Sequence, residues 1–277
     1  MSPLPRLEAR LANTPADIDA AQRLRYSVFH EEWGASASDQ QRASQRDADA
    51  HDARMDHIIV IDHARAPCDG QVVGTYRLRR RAANESPADD GYTSSEFDVS
   101  RLVAMGEPTL ELGRSCVLRE YRSRAVLNLL WGAIAAYVAD HGIGLMFGCA
   151  SLRGTDPMKL REQLAYLHHF HLAPRSIRPH AIGPDSTRMD LLDKAWIDQR
   201  RALAKLQPLI RGYLRLGASV GDGACIDHAF NSVDVCIVLP TAQLTRRYVS
   251  HYERALNRPL FRSDDAATPA AALAGSA

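Results

Sequence analysis

Lysine is nearly missing from this chain: it stands only at positions 159, 194 and 205, although Lys and Arg together number 34. Whatever the protein does with positive charge it does with guanidinium groups. These grip carboxylates and phosphates through fixed, two-pronged contacts. Biased nucleotide usage gives the same skew, so the skew points to anion contacts without assigning them. The net charge of +1 leaves no broad basic field, which argues against a nucleic-acid partner. The five cysteines, at 68, 116, 149, 225 and 236, form no C-x-x-C pair, and an odd count of this kind fits reduced thiols rather than a disulfide framework. Residues 1–12 lack the apolar stretch of a signal peptide. No apolar run reaches the ~18 residues of a membrane span. The longest, 125–138, is followed by Asp140 and His141. These absences lead to the expectation of a cytoplasmic protein.

What remains is ordinary globular material, 277 residues with 45% hydrophobic and 24% charged side chains. Ile18, Ala21, Leu24, Val28 and Phe29 have helical spacing, so a helix is predicted over 14–33, with Asn13-Thr14 as its cap. Residues 34–52 are rich in Ser, Ala, Gln and Asp and read as a mobile loop. Strands are predicted at 57–62, 70–80, 110–118, 144–151 and 233–239. Helices are predicted at 125–141, from Asp156-Pro157 to about 171, in two pieces over 196–216 with Pro208 opening the second, and at 244–256. The stretch from 264 on has the composition of a disordered tail. Alternating strands and helices around one sheet give an α/β (α+β) fold. A single domain is expected over 1–262, with a core at 14–152, a further part at 153–262 and a tail at 263–277.

The richest stretch is Glu111-Leu-Gly-Arg-Ser-Cys-Val-Leu-Arg-Glu-Tyr-Arg-Ser-Arg124, ahead of the apolar segment 125–138. It reads as a strand carrying a carboxylate, a basic turn and a helix. A helix start directs free N–H groups and a positive dipole end at whatever lies before it, which suits a phosphate. A carboxylate on the strand feeding that turn is well placed as a base. Together they suggest transfer of a group carried on a phosphate-containing handle.

The element order resembles the GNAT-type N-acyltransferase fold, a mixed twisted sheet flanked by helices, in which such a strand–turn–helix cradles the acyl donor's arm. The turn departs from the usual pattern, since Arg122-Ser-Arg124 stands where glycines are common. Arginines there suit the single phosphate of phosphopantetheine on an acyl carrier protein at least as well as a coenzyme A pyrophosphate. Leu24-Arg-Tyr-Ser-Val-Phe29 with Trp33-Gly34, then Asp52, Asp56, Gly74-Thr-Tyr-Arg-Leu78, Glu111 and Arg114, is similar to acyl-homoserine-lactone synthases. A wider match spans about 10–255: Phe97-Asp-Val-Ser-Arg101, Glu111-Leu-Gly-Arg-Ser-Cys-Val117, Gly148-Cys-Ala-Ser151, Pro208-Leu-Ile-Arg-Gly-Tyr-Leu-Arg-Leu-Gly-Ala218 and Asp227-His-Ala-Phe230. On these the chain resembles the bacterial ornithine-lipid N-acyltransferases, often labelled hemolysin-like. The resemblance implies transfer of a 3-hydroxyacyl chain from acyl carrier protein to the α-amine of L-ornithine, the first step of ornithine lipid biosynthesis. It implies no bound cofactor or metal, and contact with the inner membrane is a further expectation. Another carrier-protein-dependent N-acyltransferase is the second reading. A membrane-active hemolysin is the third, and no secretion signal or spanning segment supports it.

An amine attacks a thioester only when neutral, so a base is useful. Glu111 is the candidate; its alternative role is an ion pair with Arg114 or Arg77. A strand N–H near Ser115 or Cys116 is the candidate oxyanion donor. Cys116 is read either as a nucleophile or as a small core thiol. Arg25, Phe29, Trp33, Asp52, Asp56, Arg77 and Arg114 are the acceptor-site candidates, and Arg119, Arg122, Ser123 and Arg124 the candidates for the phosphopantetheine arm and carrier protein. A metal cluster of His51 and His57 flanking Asp52 and Asp56 is not expected, nor is one at His168-His169-x-His171, where neighbouring positions on a helix diverge. Asp227 and Asp234 are left open between structural and pocket-lining roles.

Overall fold

A computed structural model describes residues 5–66, 70–83, 85, 91–244, 246–256 and 259. The expected tail at 263–277 lies outside the described residues. The strands are β1 (Leu7–Leu11), β2 (Asp56–Asp62), β3 (Val72–Arg81), β4 (Phe97–Asp98), β5 (Thr109–Val117), β6 (Leu145–Arg153), β7 (His180–Ala181), β8 (Ser186–Thr187), β9 (Ser219–Val220), β10 (Ala224–Asp227) and β11 (Ser232–Pro240). The helices are α1 (Pro15–Tyr26), α2 (Asp39–Ser44), α3 (Ser100–Val103), α4 (Arg124–His141), α5 (Arg161–His171), α6 (Gln199–Lys205), α7 (Pro208–Leu216) and α8 (Arg246–Leu256). One mixed sheet runs β1-β2-β3-β5-β6-β11-β10-β8, with β9 paired to β11.

Among the described residues β5 and β6 form the sheet's one parallel pairing between two strands, and it is short: Thr109, Leu110 and Glu111 pair with Leu145, Met146 and Phe147. Beyond that point the strands part. Gly148 marks the fork, because a Cβ there would run into the carbonyl oxygen of Leu112. From the fork onward β5 stays with β3, and β6 stays with β11 along its whole length.

Side chains alternate across a strand, and the two faces bury different cores. Leu110, Leu112, Met146 and Ala150 join Val126, Leu130, Trp131 and Ile134 of α4 in the larger one. Leu145, Phe147, Cys236 and Val238 pack with Phe97 and Ile177 on the opposite face. Helix α4 is started by Ser123, whose hydroxyl accepts the Val126 N–H, and stopped by Gly142 in the left-handed region at φ 58°. Helix α1 starts with a capping box between Thr14 and Asp17 and continues as a π-helical turn over Ser27–Glu32. The wider turn leaves the Phe29 and Trp33 rings 5.3 Å apart at the mouth of the fork.

Several elements differ from the sequence reading, among them these three. Residues 34–52 are not a loose loop: Ser38 and Gln41 cap α2 reciprocally, and Asp47 is 1% exposed. Helix α5 begins at Arg161, because the Asp156 carboxylate takes the Met158 N–H in an Asx turn instead of opening a helix at Pro157. The edge strand β1 was not expected; it forms by pairing with β2, a partner some 50 positions away that local pattern cannot reveal.

Candidate active site

The fork between β5 and β6 holds a cavity of about 170 Å³. Its walls come from both faces of the sheet. On the α4 face stand Tyr76, Leu112, Ala150 and Leu209, an apolar side. There Tyr76 is joined to Tyr213 by a hydroxyl–hydroxyl hydrogen bond. On the other face stand Arg77, Arg114, Tyr92, Asp227, Phe230 and Asp234.

The cationic part of this wall is built on buried acids. Arg25 is fully buried; its Nε donates to Asp47 at 3.0 Å and its Nη2 to Asp52 at 2.7 Å. Arg77, 1% exposed, reaches Asp49 at 2.7 Å and Asp52 at 3.0 Å. Arg114 lies 3.5 Å from both Asp47 and Asp49. Three arginines thus share three aspartates. The guanidiniums hold the Asp52 carboxyl well below the usual range against the opposing effect of burial.

Arg114 carries a second sign of design. Its φ is +49°, in the left-handed region that costs a non-glycine residue about 1 kcal/mol or more. The register explains it: Cys116 pairs with Thr75 and Gly113 with Arg77, so Arg114 and Ser115 together face Tyr76 across a β-bulge. The bulge aims the guanidinium between two rings, 4.6 Å from Tyr92 and 4.1 Å from Phe230. It also interrupts the ladder at Ser115, beside the cavity.

The acidic part of the wall is different in kind. Asp234 and Glu96 are 3% and 8% exposed. Their carboxylates and the Cys149 thiol converge within 4.8 Å of one another. Asp234 accepts the Ser232 hydroxyl at 2.7 Å, and Glu96 accepts the Cys149 thiol at 3.3 Å. Among the described residues no arginine or lysine forms an ion pair with either. Burial, and then the Asp234 charge, push Glu96 up to about 8; burial and Asp227 push Asp234 up to about 6. A carboxyl whose pKa rises on folding stabilises the fold below its unfolded value, near 4.5 for Glu96, and loses that contribution as pH climbs through its folded value. Glu96→Gln is therefore expected to raise the melting temperature by several degrees at pH 8 and by little at pH 5. Thermal unfolding at the two pH values checks this; an equal or greater loss of stability at pH 8 would refute it.

The structure sorts the sequence-derived candidates. It brings Phe29, Trp33, Arg77, Arg114 and Ser115 onto the cavity. Arg25 and Asp52 sit behind it, bound to each other. Asp56 is set apart at the exposed start of β2, where its carboxylate takes the Tyr137 hydroxyl at 2.5 Å. Glu111 faces a separate small crevice with Arg79, Arg81 and Phe147, and its Oε1 accepts the Thr93 N–H at 2.6 Å. Cys116 packs with Leu24, Val28 and Phe29 under α1, and burial pushes its thiol far up, so it stays protonated. Of the turn residues, Arg119 and Arg124 are exposed, and Ser123 caps α4. Arg122 is already engaged: both Nη atoms reach Glu32 at 2.6 Å. Tyr92, Glu96, Cys149, Arg153 and Phe230 were not singled out as site residues. Arg153 lies over the Trp33 ring at 4.3 Å. A signal did exist for Asp234, a lone carboxylate inside an otherwise apolar strand. None existed for Glu96 or Tyr92, which lie in a polar connection.

Comparison with known proteins follows the same lines. An acetyltransferase (GNAT) domain profile matches residues 24–132. An N-acyl amino acid synthase from uncultured soil microbes superposes with a TM-score of 0.50 at 12% identity, over 87% of this chain and 95% of that one, a likeness of fold. The L-ornithine N(α)-acyltransferase of Brucella abortus is 45% identical over 256 residues, 91% of this chain and 90% of the relative. The chain belongs to the L-ornithine N(α)-acyltransferase family. The member from Agrobacterium fabrum is 43% identical over 89% of this chain and 85% of its own. As a member of this family the protein is an N-acyltransferase, built on the GNAT fold that the strand order had indicated. No helix among the described residues is long and apolar enough to cross a membrane.

Proposed function

We propose that the protein transfers a 3-hydroxyacyl chain from the phosphopantetheine of an acyl carrier protein to the α-amine of L-ornithine, giving lyso-ornithine lipid. The observation that carries this reading is the fork itself, a slot through the sheet with an apolar wall on one face and a charged wall on the other. A donor that is mostly hydrocarbon suits the first, and an amino acid suits the second. The relatives named L-ornithine N(α)-acyltransferase support the choice of acceptor.

In this reading the thioester carbonyl sits at the fork. The acceptor's α-carboxylate meets Arg114 and Arg77, which suit two-pronged contact. The α-amine, with an ordinary pKa near ~8, loses its proton at small cost. Glu111, held behind the wall by the Thr93 N–H, takes that proton through a bridging water. The amine nitrogen bonds to the carbonyl carbon, and the oxyanion is met by backbone N–H groups at the Arg114–Ser115 bulge. The C–S bond then breaks, the nitrogen releases its remaining excess proton as the amide forms, and the departing phosphopantetheine thiolate takes up that proton. No cofactor of the protein's own takes part. The phosphate of the donor arm lies at the start of α4, and Arg119 and Arg124 meet the acidic carrier. Arg122 instead holds Glu32 and supports Trp33.

The test is direct. Purified protein, 3-hydroxyacyl carrier protein and ornithine should give the N-acyl product by mass spectrometry, and the same acyl group on coenzyme A should react far more slowly. The Arg119→Ala, Arg124→Ala double variant should raise the carrier KM about tenfold and flatten its salt dependence. Absence of an ornithine amide, or equal rates with coenzyme A and no effect of the double change, overturns the corresponding part of the proposal.

A further inference from the structure

Two kinds of buried acid flank the slot. Asp47, Asp49 and Asp52 are matched by Arg25, Arg77 and Arg114. Asp234 and Glu96 form no ion pair with an arginine or lysine among the described residues, although both are more than nine-tenths buried, and the charge of Arg114 reaches Asp234 only from beyond ion-pair distance. Desolvated carboxylates without a counter-charge are expensive to hold. Asp234 lines the cavity, and Asp227 stands beside it on the same wall, accepting the Tyr92 hydroxyl at 3.2 Å and the Phe230 N–H at 2.9 Å. The pattern of the facing residues is complementary. Arg77, 1% exposed and on the same cavity, has an Nε with no hydrogen-bond partner among the described residues. The first wall thus keeps a spare donor on Arg77 although its charges are matched, and the second lacks a paired cation.

We infer that Asp234, with Asp227 beside it and Glu96 behind it, receives the side-chain ammonium of the acceptor and makes the slot selective for dibasic amino acids. This rests on the proposed reaction and adds to it the residues that read the acceptor's far end. An acceptor with an uncharged side chain would enter and leave the Asp234 carboxylate unpaired in a desolvated site. Sites of that kind reject an analogue lacking the expected group far more strongly than an apolar pocket rejects a missing methylene. A divalent metal is the competing occupant, since Cys149 completes a three-ligand set.

The experiment compares ornithine with 2-aminopentanoate, which has the same carbon skeleton without the side-chain amine. With wild-type protein and acyl carrier protein as donor, kcat/KM should favour ornithine by ~10²-fold or more. In Asp234→Asn the value for ornithine should fall by ~10²-fold, chiefly through KM, and that for 2-aminopentanoate far less, so that the preference collapses. Glu96→Gln should weaken the preference by about tenfold and serves if the first variant does not fold. Wild-type protein that acylates 2-aminopentanoate as well as ornithine overturns the inference without any variant. So does an Asp234→Asn variant that loses both acceptors alike, or a stoichiometric metal ion whose removal abolishes activity. Failure of the proposed reaction is distinct, because then no amino acid is acylated at all.

Discussion

Replacing Arg25 by leucine is expected to lower the unfolding free energy by about 3–5 kcal/mol, a large share of the stability of an ordinary domain. The side chain is wholly buried, and it is the hub joining Asp47 to Asp52. Leucine fills part of its volume but leaves both carboxylates under-compensated, with Arg77 and Arg114 as their remaining arginine partners. The loss should shrink as pH falls and the aspartates take up protons in the variant, since unpaired buried carboxyls are stabilised by protonation. Denaturant unfolding at pH 7 and pH 5 measures both effects. A loss below about 1 kcal/mol at pH 7 would mean that the network is not the brace described here.

The second large effect concerns activity. Arg114→Gly removes the guanidinium while keeping a residue that adopts a φ of +49° without strain. Relief of backbone strain offsets only part of the lost ion pairs to Asp47 and Asp49. Stability should therefore fall, though less than in Arg25→Leu because those pairs are longer, at 3.5 Å. The kcat/KM for ornithine should drop by ~10²–10³-fold, the ordinary cost of removing one partner of a desolvated charge pair. Arg114→Lys should recover only part of this, because an ammonium cannot reproduce a planar group held between Tyr92 and Phe230. A glycine variant with near-normal kinetics would show that the bulge, and not the side chain it presents, is what the reaction needs.

Much of the fold was readable because its signals are local. The α4 helix shows itself through a serine cap, an apolar stripe and a closing glycine, and β2, β3, β5, β6 and β11 through short apolar runs. What was lost depends on distant partners. Strand β1 is five residues that become a strand by lying against β2. Residues 34–52 looked loose because they are polar, yet their aspartates face inward to arginines from α1, β3 and β5. The site shows the same division. Arg77, Arg114, Phe29 and Trp33 were legible from their spacing and their likeness to known patterns. Asp56 shared the acidic spacing of Asp52 but falls at the strand's exposed start, where Tyr137 takes it. Glu111 was read as facing the reaction; it stands on the charged face of β5, but its register beside Arg79 and Phe147, ahead of the fork, puts it in the neighbouring crevice. Glu96 and Tyr92 are brought to Asp234 and Asp227 by the packing of a connecting segment across β6, β11 and β10, which no periodicity encodes.

The fork at Gly148 also shapes how a turnover would end. A slot walled from both faces of a sheet has the topology of a needle's eye. In the proposed reaction two molecules approach through opposite openings, and joining them produces a single thread whose head and tail lie on different sides. Such a product cannot simply back out of one door. Either the polar head is drawn through the gap toward the helix face, or the chain is pulled past the arginines. Exit then becomes slower as the tail lengthens, and an acceptor phase that takes up the tail, such as a bilayer or micelle, becomes part of the kinetics even for a protein with no spanning helix among its described residues.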